Sequence, residues 1–150
     1  MDIADLLSAD RVLLDVDVSC SKQAFRVVAD VAAATVGLDK RAVMDALQER
    51  ERLGTTGVGD GISIPHARFE GLGKACGFFV RLRSSIDMDA LDNKSVDLMF
   101  VLLAPQDANA DHLKALSRIA RVMRSPDNQR VLRQNGDKNV ILAVLTSEDT

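Results

Sequence analysis

Tryptophan and tyrosine are absent from this chain, and phenylalanine occurs only 5 times in 150 residues. Exposed rings are what a stacking platform for single-stranded nucleic acid is made of, so that platform is missing, as is an aromatic-lined ligand cleft. Basic charge is also in short supply. The 19 Lys and Arg stand against 22 Asp and Glu, for a net charge of −3 and a pI near 5.3, which leaves nucleic acid without the positive field that gathers phosphate backbones. The 2 cysteines, Cys20 and Cys76, are too few for a disulfide framework and have neither redox-pair nor metal-tetrad spacing; both are expected as small, buried or half-buried side chains. The longest apolar run, Leu98 to Ala104, falls far short of the roughly 20 residues that cross a bilayer. The opening Met1-Asp2-Ile3-Ala4-Asp5 is acidic where an export signal is basic. A cytoplasmic chain without membrane insertion is the expectation. Histidine is scarce too, at 2 residues.

What is present, 47% hydrophobic and 27% charged residues with 9 Gly and 3 Pro, is the composition of a globular protein long enough to bury a core without disulfides or metals. One domain over residues 1–150 is expected. Arg11–Val16 reads as a short strand. Phe25, Val28, Ala29, Ala32 and Val36 recur at helical spacing, with Ser19 or Ser21 to cap the start and Gly37 to end the helix in a left-handed conformation. Asp39 caps a second helix through Val43, Ala46 and Leu47, with Arg50 and Arg52 in its last turn, where cations complement the dipole. Cys76–Leu82 and Val96–Leu103 are strands, joined by a polar, Asp-rich connection. A long helix opens at Asp107–Asp111, with Leu113, Leu116, Ile119, Ala120 and Met123 on one side and Lys114, Arg118, Arg121 and Arg124 on the other. Pro126 starts a short helix to Gln134, and Asp137 caps a last one over Lys138–Leu145. Interspersed helices and strands mean an α/β or α+β fold with one central sheet.

The chemistry concentrates in Arg50-Glu51-Arg52-Leu53-Gly54-Thr55-Thr56-Gly57-Val58-Gly59-Asp60-Gly61-Ile62-Ser63-Ile64-Pro65-His66. Four glycines in the eight positions 54–61 let backbone amides approach an anion without obstruction. The spacing is neither a dinucleotide fingerprint nor a nucleotide P-loop, whose Lys-Ser/Thr ending is missing. What remains is a histidine at the mouth of a glycine loop, with arginines upstream. A neutral imidazole is a good nucleophile toward phosphorus, and arginine with backbone N–H groups stabilises a transferring phosphoryl. A lone histidine is more ordinarily just a hydrogen-bonded turn residue, and the residues by themselves leave both readings open.

The stretch from Arg50 to His66 resembles the active-site signature of bacterial phosphotransferase-system EIIA domains of the fructose/mannitol/nitrogen group: an Arg-Glu pair, then Thr-Gly-Val-Gly-x-Gly-Ile-x-Ile-Pro-His. Ser21-Lys22, Ala90-Leu91-Asp92-Asn93, Val96-Asp97-Leu98-Met99-Phe100 and His112-Leu113 extend the resemblance over nearly the whole chain. It implies a central mixed β-sheet flanked by α-helices on both faces. It also implies a phosphohistidine carrier rather than a free-standing enzyme, with His66 accepting a phosphoryl group on Nε2 from an HPr-like carrier protein. His112 would hydrogen-bond the phosphoryl or the first imidazole. Arg50 would stabilise the charge, as would Thr56, Gly57, Gly59 and Gly61 of the loop. A role for Asp60 does not carry over, since family members differ there. No metal or cofactor is implied.

Ile62, Ile64 and Phe69 are candidates for a docking rim around His66. Asp87, Asp89, Asp92, Asp97, Asp107 and Asp111 precede the basic helix, so separate acidic and basic faces would steer different partners. The absence of a fused EIIB, EIIC or carrier domain favours a regulatory member of the nitrogen type. A fructose/mannitol-type transporter subunit working with an EIIB domain is the alternative, as is an interaction module acting unphosphorylated on regulatory targets. A hydrolase using His66 as general base lacks a Gly-x-Ser-x-Gly elbow and paired carboxylates near the histidine.

Overall fold

The computed structural model describes residues 2–147. The chain runs α1 (Ile3–Leu6), a 3-10 turn at Ala9–Arg11, β1 (Val12–Val16), α2 (Ser21–Val36), α3 (Lys40–Leu53), β2 (Gly57–Gly59), β3 (Ile62–Ser63), β4 (His66–Phe69), β5 (Cys76–Ile86), β6 (Val96–Pro105), α4 (Ala110–Arg124), α5 (Pro126–Gln134) and α6 (Lys138–Thr146). Local chemistry sets most of these limits. Gly37 ends α2 at φ 70°, and the Asp39 and Asp137 carboxylates accept from Ala42 N and Asn139 N at the starts of α3 and α6. Pro126 sits in the first turn of α5, where its missing N–H costs nothing. The expected serine cap of α2 is not formed. Cys20 occupies the cap position without a side-chain bond, and Gln23 Oε1 instead accepts from Ser19 N at 2.7 Å.

The sheet has six strands in the order β1-β5-β6-β3-β2, with β4 also paired to β6. β5 and β6 are antiparallel, with Phe79 opposite Phe100, whereas β1 runs parallel to β5 and both β3 and β4 run parallel to β6. The sheet is therefore mixed. Period-two alternation splits its side chains between two apolar layers. Phe78, Val80, Val101 and Leu103 meet Phe25, Val28 and Ala32 of α2 and Val43 and Leu47 of α3. Phe79, Leu98, Phe100 and Leu102 meet Ile119 and Met123 of α4, Leu132 of α5, and Ile141 and Leu145 of α6. Helices thus cover both faces, as expected. No helix among the described residues is long and apolar enough to cross a membrane.

Two expected surfaces lie elsewhere. On α4 the buried side is His112, Ala115, Ile119, Val122 and Met123, while Leu113 is 65% exposed; the apolar stripe is rotated by one residue and carries a histidine inward. Cys20 is exposed, whereas Cys76 is buried, and burial raises the Cys76 thiol above its ordinary range, partly opposed by Arg11.

Candidate functional site

Pro65 holds the chain extended and His66 opens β4 on the flank of β6, opposite Leu102. The imidazole is half-buried, and its Nδ1 lies 2.8 Å from the carbonyl oxygen of Ile64. A carbonyl only accepts, so Nδ1 carries the proton and donates. The lone pair is then on Nε2, and the ring is fixed in the tautomer that a nucleophile requires.

That carbonyl is itself held. Ile64 N donates to the Thr56 carbonyl at 3.0 Å, and the Thr56 hydroxyl and amide donate to the Glu51 carboxylate at 2.6 and 3.1 Å. Ser63 Oγ lies 3.0 Å from the same hydroxyl. A chain of hydrogen bonds therefore runs from the last turn of α3 to the imidazole. The sequence carries no local signal for this role of Glu51, because its partner Thr56 is five residues on and beyond the helix end.

The glycine stretch is a hairpin rather than a cradle. β2 and β3 pair antiparallel, and Asp60 at φ 59° with Gly61 at φ 80° make the two-residue turn that Asp-Gly favours. Its amides already have partners: Gly57 N donates to Thr55 Oγ1 at 3.0 Å and Asp60 N to Asp92 Oδ2 at 3.0 Å, the latter bond being the chief cause of a lowered Asp92 pKa. The hairpin also runs away from His66. Ile62 pairs with Leu98 and His66 with Leu102, a separation of about 13 Å along β6 at the usual rise per residue. Gly59 and Gly61 lie at that far level. A Cβ on Gly61 would meet Arg133 Nη2 at 2.7 Å and Asp97 Oδ1 at 2.9 Å, not the histidine. Thr56 and Gly57 are buried scaffold.

The second histidine does come to the first. His112, in the first turn of α4 and 8% exposed, has its ring centroid 6.2 Å from that of His66, with the planes 54° apart. Burial holds its pKa below the ordinary histidine range, helped by His66 and Arg68, so this imidazole is neutral near pH 7. Its Nδ1 is buried with no hydrogen-bond partner. Arg50, half-buried, donates from Nη1 to the Gly54 carbonyl at 3.0 Å and bonds neither imidazole. The apolar rim is not there: Ile62, Ile64 and Phe69 are at most 9% exposed and belong to the core layers. The acidic run is partly consumed in structure, with Asp97 paired to Arg133 and Asp87 and Asp92 accepting from backbone amides of their own loop.

The site is thus a half-buried imidazole whose Nδ1 bonds a backbone carbonyl, with a buried second imidazole beside it, on a mixed sheet covered on both faces. The chain belongs to the EIIA 2 family of the phosphoenolpyruvate-dependent sugar phosphotransferase system, whose model matches residues 5–148. A nitrogen regulatory protein of Bradyrhizobium diazoefficiens is 46% identical over 145 residues, covering 97% of this chain and 95% of the relative. A fructose-specific EIIA component of Haloferax volcanii is 34% identical over 145 residues, covering 96% and 94%. The crystal structure of the nitrogen regulatory protein IIA-Ntr from Neisseria meningitidis superposes with a TM-score of 0.91 at 33% identity, over 96% of this chain and 99% of that one.

Proposed function

We propose that this chain is a cytoplasmic phosphocarrier of nitrogen-regulatory type, taking a phosphoryl group onto Nε2 of His66 from a phosphohistidine on an HPr-like carrier. The observation that carries this reading is the Nδ1–H bond to the Ile64 carbonyl, which leaves Nε2 as the attacking atom. The donor's N–P bond breaks with its electron pair remaining on the donor nitrogen, while the Nε2 lone pair forms the new N–P bond. Each ring keeps its N–H, so positive charge passes to His66 with the phosphoryl. The Ile64 carbonyl then faces a protonated Nδ1 and stabilises the product. One N–P bond replaces another, so the step calls for positioning and charge stabilisation. His112 donates to the phosphoryl oxygens. Arg50 uses one donor on Gly54 and keeps others for the phosphoryl. Regulatory targets are the proposed recipients of the signal, rather than a sugar.

The fructose-specific relative supports a second reading, a transporter subunit passing the phosphoryl to an EIIB domain. Incubation with phosphoenolpyruvate, enzyme I and a histidine carrier tests the first. An acid-labile, alkali-stable adduct is expected on the wild type and on a His112 variant, where it forms more slowly, and not on His66→Ala. Labelling of His66→Ala sinks the proposal, and an unlabelled wild type leaves an interaction module. Rapid discharge of the adduct to an added EIIB domain favours the transporter subunit.

A further inference from the structure

The backbone of Arg68 pairs with Ala104 in the sheet, but its side chain takes no part in holding the fold together. That side chain is exposed, and among the described residues it has neither an ion pair nor a hydrogen bond. Its position is nevertheless fixed by β4. Ala67 and Phe69 point into the layer beneath α2 and α3, so His66 and Arg68 project from the opposite face, about 6.6 Å apart along the strand. That is the face on which α4 lies, bringing His112 to 6.2 Å from the His66 ring. After burial and His66, Arg68 is the third influence lowering the His112 pKa, which places its guanidinium within electrostatic reach of that ring. Three side chains thus converge from two elements.

A phosphoryl group on Nε2 of His66 needs counter-charge beyond what Arg50 and His112 supply, and the glycine loop does not provide it. The Gly57 and Asp60 amides are bonded within the protein, and the hairpin turn lies about 13 Å down the sheet by strand rise. We propose that Arg68 binds the phosphoryl group carried by His66, its guanidinium donating to the phosphoryl oxygens from the same strand face. A planar, permanently charged fork is suited to such an anion. This rests on the phosphocarrier reading above and adds a ligand for the phosphoryl that the glycine loop does not supply.

The test uses phosphoramidate as donor, so that docking of a carrier protein plays no part. Arg68→Gln, which keeps the stem without the charge, and Arg68→Lys are compared with the wild type for rate of phosphorylation and, by phosphorus NMR, for the pH at which the phosphoryl takes up its last proton. Arg68→Gln is expected to slow phosphorylation about tenfold or more, the scale of one charge-assisted hydrogen bond, and to raise that titration midpoint, with Arg68→Lys recovering part of both. An unchanged rate and midpoint in Arg68→Gln overturns the proposal. So does a slower rate with an unmoved midpoint, because a structural role alone does not alter the phosphoryl's proton affinity. Failure of the wild type to be phosphorylated at all refutes the phosphocarrier reading itself.

Discussion

Removing the Glu51 carboxylate should damage the site from a distance, and the size of the effect follows from its partners. Glu51 accepts from the Thr56 hydroxyl at 2.6 Å and the Thr56 amide at 3.1 Å, and Thr56 is only 4% exposed. In Glu51→Ala the amide is left buried without an acceptor, while the hydroxyl keeps Ser63. Bonds to charged groups contribute about 1.5–3 kcal/mol each when fully desolvated. Glu51 is half-buried, so the lower end applies, and with one partner retained the total is about 2–3 kcal/mol. Glu51→Gln keeps one acceptor and should cost about 1 kcal/mol. Since Thr56 holds Ile64 and Ile64 holds His66, phosphoryl acceptance should also slow severalfold in protein that remains folded. Urea unfolding of both variants, with a double-mutant cycle against Thr56→Val, measures this. A loss below about 0.5 kcal/mol, the range of an uninvolved surface change, or a coupling of zero refutes the chain of bonds.

Gly61→Ala should destabilise by about 1–3 kcal/mol, because a left-handed alanine is strained and its Cβ crowds Arg133 and Asp97; its phosphorylation rate should be unchanged, and a stable variant that cannot be labelled would show that the turn touches the phosphoryl after all. His112 makes stability depend on pH in a definite sense. Its folded pKa is depressed, so the unfolded chain binds a proton first as pH falls, and stability is fully present above the ordinary histidine value and declines below it toward the folded pKa. Urea midpoints from pH 7.5 downward should decline in the wild type and do so less in His112→Gln; parallel slopes would contradict this. Phosphorylation of His66 brings negative charge next to His112 and should raise its pKa, which proton NMR titration of the free and phosphorylated forms would read.

The layers were legible because their signals are local. The Phe25–Ala32 stripe, the Gly37 stop, the Asp39 and Asp137 caps and Pro126 each act within a few residues. The failures are equally physical. Read as permissive backbone, the glycines conceal that Asp60-Gly61 is a hairpin turn, with the Asp60 amide bonded to Asp92. β4 is four residues long, too short for its alternation to stand out, so the sequence does not mark Arg68 as sharing a face with His66. Leucine looks like core, so the pattern puts Leu113 in the α4 stripe; the interior instead accommodates His112, a polar side chain that local pattern assigns to the surface. His66 and His112 were identified by a motif, but their meeting is tertiary, between a strand on the flank of β6 and a helix that follows it.

The most direct measurement is nitrogen–phosphorus correlation NMR on the phosphorylated protein. The account predicts one phosphoryl group, coupled to Nε2 of His66, with the Nδ1 proton still present and bonded to the Ile64 carbonyl. A phosphoryl on Nδ1 of His66, or on His112, would contradict it.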